Sequence, residues 1–300
     1  MSKESNTKKL NGKVIFFTFL AVILLAGFIV CAGIMIRNYK IQRDAELQFE
    51  QMANSTIAQT EAPTETEIET ETETEAPTFW ELNGIEVPEL NLDWNALWEQ
   101  NTDIYAWIYI PNTNVNYPVL QHSSQHDYYL EYNIDHTKGR PGCIYSQRYN
   151  TTTFTDTNTI LYGHNMKNGT MFKTLHYFEE EEFFNENRYI YIFTPEKMFV
   201  YEVYATTECS NEHLLYKYNF EKGEGKYYFI EDLQKKADKK PSVCHIWEET
   251  EITDDTKLLT LSTCILGRPS ERYLVVGTLY AEETFEDGSI QVYESTEVTE

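Results

Sequence analysis

The chain has 300 residues, with 24 Lys and Arg against 48 Asp and Glu, and its formal net charge is −24. A protein that binds nucleic acid presents a basic face to the phosphates, so this charge argues against a nucleic-acid partner. Aromatic residues are plentiful, with 22 Tyr and 16 Phe. Without its apolar and low-complexity segments the chain retains about 205 residues, which suits one domain with a sizeable core.

The number of cysteines is odd: Cys31, Cys143, Cys209, Cys244 and Cys264. Cys31 falls in an apolar segment, and the other four follow it. A disulfide framework is typical of small secreted domains dense in cysteine, and a domain of this size with so few cysteines does not fit that class. The composition favours one reactive thiol among buried, chemically inert ones.

An uncharged apolar stretch runs from Val14 to Ile36 and follows a basic N-terminus. At about 1.5 Å per residue, a helix of this length crosses the hydrocarbon core of a membrane. The alternative is a cleaved signal peptide, whose apolar region is shorter, roughly 7–15 residues. We therefore expect a retained anchor. Basic residues flank both ends of the stretch, but a short N-terminus before a large domain favours residues 1–13 in the cytoplasm and the domain outside.

Low-complexity sequence separates the apolar stretch from the rest of the chain. Residues 53–78 are of low complexity and contain Thr-Glu repeats between two Ala-Pro-Thr triplets, and this composition stays extended because it can bury little apolar surface. We interpret residues 37–78 as an extracellular stalk that begins as a helical continuation of the anchor. Residues 79–285 then form the folded domain, and residues 286–300 form an acidic tail.

Short segments bounded by turn signals dominate the folded region. Apolar runs and alternation, flanked by Gly, Pro and Asn, predict strands over 104–110, 115–120, 142–146, 159–162, 188–194, 197–207, 258–264 and 272–279. Periodicity predicts helices over 93–100, 170–182 and 225–240. Many short strands with few helices are typical of a closed β-barrel with helices at its margins.

Three residues point to acyl-transfer chemistry. The predicted strand 258–264 ends on Cys264, and Arg272 opens the strand that follows. A thiolate nucleophile needs a cationic neighbour and a proton partner, and His164, at the end of another predicted strand, supplies an imidazole. An imidazole can hand a proton to a leaving amine, and a guanidinium can meet the oxyanion that forms at the attacked carbonyl.

Each of these residues also has a purely structural interpretation. Cys264 on a buried strand is compatible with a small core residue, and His164 is one of seven histidines. Arg272 has an acidic neighbour, Glu271, with which to pair. Arg268 competes for the arginine role, but it sits beside a proline in a predicted turn, whereas Arg272 opens a strand.

A metal site is a poorer alternative. His122 and His126 have the spacing of two ligands on one helical turn, but the residues between them are polar and turn-like, and no third ligand is evident. The sequence contains no Cys-x-x-Cys motif. We find no sign of a cofactor.

The same residues resemble those of a known family. Residues 162–166, Tyr-Gly-His-Asn-Met, resemble the histidine motif of class B sortases, and residues 260–264, Thr-Leu-Ser-Thr-Cys, resemble the sortase Thr-Leu-x-Thr-Cys signature. Arg272 lies where that family keeps its catalytic arginine. The resemblance extends from about Trp94 to Leu279, most of the folded part.

The resemblance implies a fold and an activity. The fold would be mainly β, an eight-stranded sortase barrel with flanking helices, preceded by one transmembrane helix. Cys264 would attack the carbonyl after threonine in a sorting signal, His164 would protonate the departing amine, and Arg272 would hold the substrate and the oxyanion. By matching position, Leu130, Tyr162 and Ser262 would line the substrate pocket. The partners would be surface proteins bearing the signal and an amine of a peptidoglycan precursor or cross-bridge.

Two departures from the family pattern concern the pocket. His126 stands where the family often has asparagine, and residues 142–147 are a polar variant of a segment that often carries an acid. Other activities remain open: a cysteine peptidase that hydrolyses the acyl-enzyme, a pilin-polymerising sortase that uses a protein lysine as acceptor, and a membrane-tethered binding module without chemistry.

Overall fold

The computed structural model describes residues 12–56 and 77–293. The strands are β1 Ile104–Tyr109, β2 Asn116–Leu120, β3 Ile144–Ser146, β4 Asn158–Tyr162, β5 Tyr189–Phe193, β6 Lys197–Ser210, β7 Leu258–Ile265, β8 Arg268–Thr284 and β9 Ile290–Val292. The helices are α1 Gly12–Thr56, α2 Phe79–Leu82, α3 Trp94–Gln100, α4 Tyr128–Glu131, α5 Glu181–Glu186, α6 Leu214–Tyr218 and α7 Glu224–Lys239, with a 3₁₀ helix at Phe172–Glu179.

Strands β1 to β8 form a closed barrel. Their order is β6-β5-β1-β2-β3-β4-β7-β8, and pairing of β6 with β8 closes the sheet. The β2–β3 and β4–β7 pairs are parallel, and the other pairs are antiparallel. The barrel predicted from the sequence is confirmed. The short strand β9 extends the sheet beyond β8 and lies within residues 286–300, which the sequence assigns to the acidic tail.

Two predicted elements differ in the structure. The helix expected over 170–182 is a 3₁₀ helix and then α5, because Glu180 between them is extended, with φ −85° and ψ 125°. Strand β8 begins at Arg268 rather than at Arg272, since the connection from β7 is a two-residue turn at Leu266 and Gly267. Gly267 has a φ of +81°, a conformation that glycine adopts without steric cost.

Helix α1 joins the apolar stretch to the barrel without a break. Among the described residues it is the one helix long and apolar enough to cross a membrane. Its last turns bury Ala45, Phe49 and Met52, and the Phe49 ring packs edge-to-face on Tyr117 with centroids 5.7 Å apart. Part of the segment assigned to the stalk is therefore helical and packed on the domain. Residues 57–76 of that segment lie outside the described residues.

Candidate active site

The parallel pairing of β4 with β7 brings two strand exits to one edge of the barrel. Tyr162 pairs with Ser262, the Gly163 amide donates to the Ser262 carbonyl at 3.1 Å, and the Thr263 hydroxyl donates to the Gly163 carbonyl at 2.9 Å. Parallel strands end at the same edge of a sheet. His164 and Cys264, the next residues of each strand, are therefore neighbours.

Arg272 lies directly opposite Cys264 in the antiparallel β7–β8 pair, and residues opposite each other in such a pair project to the same face. Its Nη1 donates to the carbonyls of Pro269 and Glu271, both at 2.9 Å. Backbone oxygens hold the guanidinium without neutralising its charge. Arg268 instead forms ion pairs with Glu208 and Glu271.

One cavity of about 330 Å³ collects the residues singled out in the sequence. It is lined by Leu130, Tyr162, His164, Ser262, Cys264 and Arg272. Arg268 is not among its lining residues. Cys264 is half-buried, whereas Cys143, Cys209 and Cys244 are buried, and all five cysteines are free thiols. Of the thiols, Cys264 and Cys209 face this cavity, and Cys264 is the more exposed of the two.

His164 is held by the backbone of Leu130. Its Nε2 lies 2.8 Å from the Leu130 carbonyl oxygen; since a carbonyl only accepts, Nε2 carries the proton and Nδ1 is left to exchange one. Burial lowers the pKa of His164 below its ordinary value, and the positive charges of Arg140 and Arg272 lower it further against the opposing effect of the Leu130 hydrogen bond. The lowered pKa favours the neutral form of the imidazole.

A second histidine supports the backbone of the thiol. The Cys264 carbonyl accepts from Asn165 Nδ2 at 2.8 Å and lies 3.2 Å from His176 Nε2. The other ring nitrogen of His176 contacts Glu179 Oε1 at 2.5 Å, and the ring stacks on Tyr273 with centroids 4.9 Å apart. These contacts fix the end of β7 and hence the direction of the Cys264 side chain.

Three polar residues of the cavity were missed in the sequence. Asp127 Oδ1 accepts from the Tyr145 hydroxyl at 3.1 Å and from Gln147 Nε2 at 2.7 Å, and Gln147 Oε1 accepts from His213 Nε2 at 2.6 Å. Burial lowers the pKa of His213. Asp127, Gln147 and His213 come from three separate loops, so no spacing along the chain connects them. The polar character of residues 142–147 was the one available signal.

The histidine pair weighed as a metal site is engaged in other contacts. His122 Nδ1 accepts from the amides of Ser124 and Gln125, both at 3.1 Å. The His126 ring stacks on Tyr149 with centroids 4.1 Å apart. Within residues 12–56 and 77–293, no three His, Cys, Asp or Glu residues are grouped so that they could hold a metal ion.

Comparison with known proteins identifies the family of the chain. The family model of the sortase domain matches residues 108–280, more than half of the chain. The chain belongs to the sortase family. This sortase is 31% identical over 172 residues to Sortase B of Listeria monocytogenes, an alignment that covers 57% of this chain and 67% of the relative.

Solved sortase B structures share the barrel. This sortase superimposes on sortase B of Clostridium perfringens with a TM-score of 0.51 and 27% identity, over 62% of this chain and 98% of the other. Against the Staphylococcus aureus sortase B–substrate complex, the TM-score is 0.53 and the identity 26%, over 62% of this chain and 83% of the other. The predicted family is confirmed: this sortase is a cysteine transpeptidase of the sortase B type.

Proposed function

We propose that this sortase cleaves a C-terminal sorting signal of surface proteins after threonine and transfers the acyl group to a peptidoglycan amine. The observation that carries the proposal is the cavity that Cys264, His164 and Arg272 line together. Cys264 lies at the end of β7, His164 follows β4, and Arg272 lies in β8 opposite Cys264. A thiol, an imidazole and a guanidinium around one cavity supply a nucleophile, a proton carrier and an oxyanion partner.

Acylation begins when the Cys264 thiol gives its proton to Nδ1 of His164 and the resulting thiolate attacks the carbonyl after threonine. Arg272 stabilises the oxyanion, since its guanidinium is held by carbonyls and retains its full charge. When the tetrahedral intermediate collapses, the C–N bond breaks, and the leaving amine takes a proton from Nδ1 of His164. A thioester on Cys264 remains.

Leu130, Tyr162 and Ser262 are the proposed substrate-binding residues. All three line the cavity beside the thiol, and the Tyr162 hydroxyl is buried without a hydrogen-bond partner among the described residues. Leaving a buried hydroxyl unpaired costs free energy, so a polar group of the peptide that reached it would gain a hydrogen bond. Asp127, Gln147 and His213 give the same cavity a polar wall.

The proposed location is the cell membrane, crossed once by residues 14–36. Residues 1–13 lie in the cytoplasm, and the catalytic domain, residues 79–285, lies on the outer face, where both surface proteins and peptidoglycan are found. The support is the length and apolar composition of α1. The proposed stalk is residues 37–78 and the proposed tail is residues 286–300; residues 57–76 and 294–300 of these segments lie outside the described residues.

The test is product analysis by mass spectrometry. The full chain in detergent is incubated with a mixed set of sorting-signal peptides, with and without an amine, and Cys264→Ala is the control. We expect a thioester on Cys264 that the amine converts into a ligated peptide. Cleavage without ligation would favour a cysteine peptidase. If a protein that offers lysine side chains is the one acceptor that becomes ligated, the result would favour a pilin-polymerising sortase.

A further inference from the structure

A second, larger cavity adjoins the active site on the side of α1. It has a volume of about 810 Å³, and we call it the α1 groove. One wall is the stretch of α1 around Tyr39 and Gln42, and the other is formed by Glu131, Lys138 and Arg140. The walls approach each other at Gly139, where a Cβ would lie 2.9 Å from Cγ2 of Ile41.

The α1 groove meets the catalytic cavity at His164. Leu130 and His164 are the two residues that line both cavities, whereas Cys264 and Arg272 line the catalytic cavity and not the α1 groove. His164 thus lies between the catalytic cavity, which Cys264 lines, and the α1 groove, which Cys264 does not line. Met35 also lines the groove, which therefore opens where the apolar stretch of α1 ends.

One positive charge in the α1 groove is unbalanced. Lys138 Nζ forms an ion pair with Glu131 Oε2 at 2.7 Å, so these two charges offset each other. Arg140 is exposed, and no described residue forms a hydrogen bond or an ion pair with it. Its charge reaches His164, whose pKa it helps to lower. A free guanidinium beside a proton-transfer residue is a ready partner for a carboxylate.

We propose that the α1 groove binds the amine acceptor and that Arg140 binds a carboxylate of that acceptor, next to the attacking amine. The inference rests on the proposed function. The leaving amine departs past His164, because His164 gives it the proton. By microscopic reversibility, the acceptor amine enters the position that the leaving amine has left. The rest of the acceptor then extends into the α1 groove, which adjoins His164 and is not lined by Cys264.

The transfer step balances without any further reactant. The acceptor nitrogen attacks the thioester carbonyl and forms the new C–N bond, while its proton passes to Nδ1 of His164. The C–S bond breaks, and Cys264 leaves as the thiolate. Arg140 takes no part in these bonds; it binds and orients the acceptor. The acceptor class is an amine with a carboxylate on the same carbon, as at the free end of a diaminopimelate side chain.

Two acceptors that differ in one group test the assignment. The first is diaminopimelate blocked so that one amine and its adjacent carboxylate stay free, and the second is the corresponding carboxamide. The full chain in detergent is acylated with the sorting-signal peptide, and kcat/KM for each acceptor is measured in the wild type, Arg140→Gln and Arg140→Lys. Arg148→Gln is the matched control, since Arg148 is exposed near the catalytic cavity and does not line the α1 groove.

The decisive quantity is the ratio of kcat/KM for the carboxylate to that for the carboxamide. We expect Arg140→Gln to lower this ratio about tenfold, the size of one charge-assisted hydrogen bond, Arg140→Lys to restore part of it and Arg148→Gln to keep it. A shift in the pKa of His164 affects both acceptors alike and cancels in the ratio. An unchanged ratio in Arg140→Gln, or an equal fall in Arg148→Gln, would overturn the assignment. If the wild type forms no thioester, the proposed function itself fails.

Discussion

Arg272 and Arg268 differ in what holds their guanidinium groups. Backbone carbonyls hold Arg272 beside the cavity, whereas carboxylates neutralise Arg268. A group that stabilises a developing oxyanion must keep its own charge available. The sequence favoured Arg272 because Arg268 was predicted to lie in a turn, and this prediction was wrong, since Arg268 also lies in β8. The ion pairs of Arg268 are a separate reason to assign the oxyanion role to Arg272.

Arg272→Lys should lower kcat/KM for transfer by about 100-fold, because a point charge does not reproduce the planar fork of donors. Arg268→Lys keeps the charge that pairs with Glu208 and should cost less than about tenfold. Both rates are measured with the sorting-signal peptide and an amine. A larger loss in Arg268→Lys than in Arg272→Lys would contradict the assignment of the arginine.

The charges around His164 make a prediction about its titration. Arg140 and Arg272 both lower the pKa of His164 because a positive charge disfavours the imidazolium. Removing one of these charges in Arg140→Gln should move the midpoint to higher pH, toward the ordinary value. The midpoint is read by NMR of labelled histidine in the Cys264→Ala background, with Arg148→Gln as the control. A midpoint that stays in place or moves to lower pH would contradict the electrostatic account.

Helix α7 is tied to the segment before β7 by a buried lysine. Lys226 is 2% exposed, and its Nζ donates to the carbonyls of Thr253, Asp254 and Thr256 at 2.5, 2.7 and 3.1 Å. Burial lowers the pKa of Lys226, yet three acceptors satisfy its three donors. This contact positions the chain just before β7, the strand that carries Cys264.

Lys226→Met should destabilise the fold by about 1–3 kcal/mol, because buried carbonyls are left without a donor. The matched control is Lys235→Met on the same helix, where the side chain is exposed and its ion pair with Glu231 is of the surface type. Both are compared with the wild type by denaturant unfolding in detergent. Equal midpoints for Lys226→Met and Lys235→Met would show that the contact contributes no net stability.

The elements differ in how well the sequence predicts them. Strands β4 and β7 could be predicted from apolar runs that end at turn signals, and the motifs at their ends located His164 and Cys264. Pairing between β6 and β8 has no local signal, because it depends on closure of the whole barrel. Periodicity does not separate a 3₁₀ helix from an α-helix, so the segment around Glu180 was predicted as one helix.

The site follows the same division. Cys264, His164 and Arg272 could be proposed from residue types and motifs, and the structure brings them to one cavity. Asp127 and His213 approach only when three loops meet, so the sequence offered no reason to connect them. The docking of α1 was also hidden, since low-complexity sequence follows it directly and the composition of the whole segment suggested a solvated stalk.

At the scale of the whole molecule, one helix serves both the apolar stretch and the domain core. Phe49 is 3% exposed and belongs to the main hydrophobic cluster with Met52, Trp80 and Tyr117. Because α1 is one continuous helix from the apolar stretch to its buried last turns, it sets the distance between that stretch and the domain in this structure. It also gives the α1 groove its second wall.

Phe49→Ala should therefore destabilise the catalytic domain itself by about 3–5 kcal/mol, the cost of deleting a buried phenylalanine side chain. Leu47→Ala, two residues earlier on the more exposed side of α1, should change the free energy of unfolding by less than about 0.5 kcal/mol. The measurement is denaturant unfolding of the full chain in detergent, followed by tryptophan fluorescence. A destabilised junction would also loosen the α1 groove. Phe49→Ala should therefore raise the KM for the acceptor by a larger factor than it lowers the rate of thioester formation. If Phe49→Ala and Leu47→Ala unfold at the same midpoint, α1 does not belong to the core, and the α1 groove has no fixed wall.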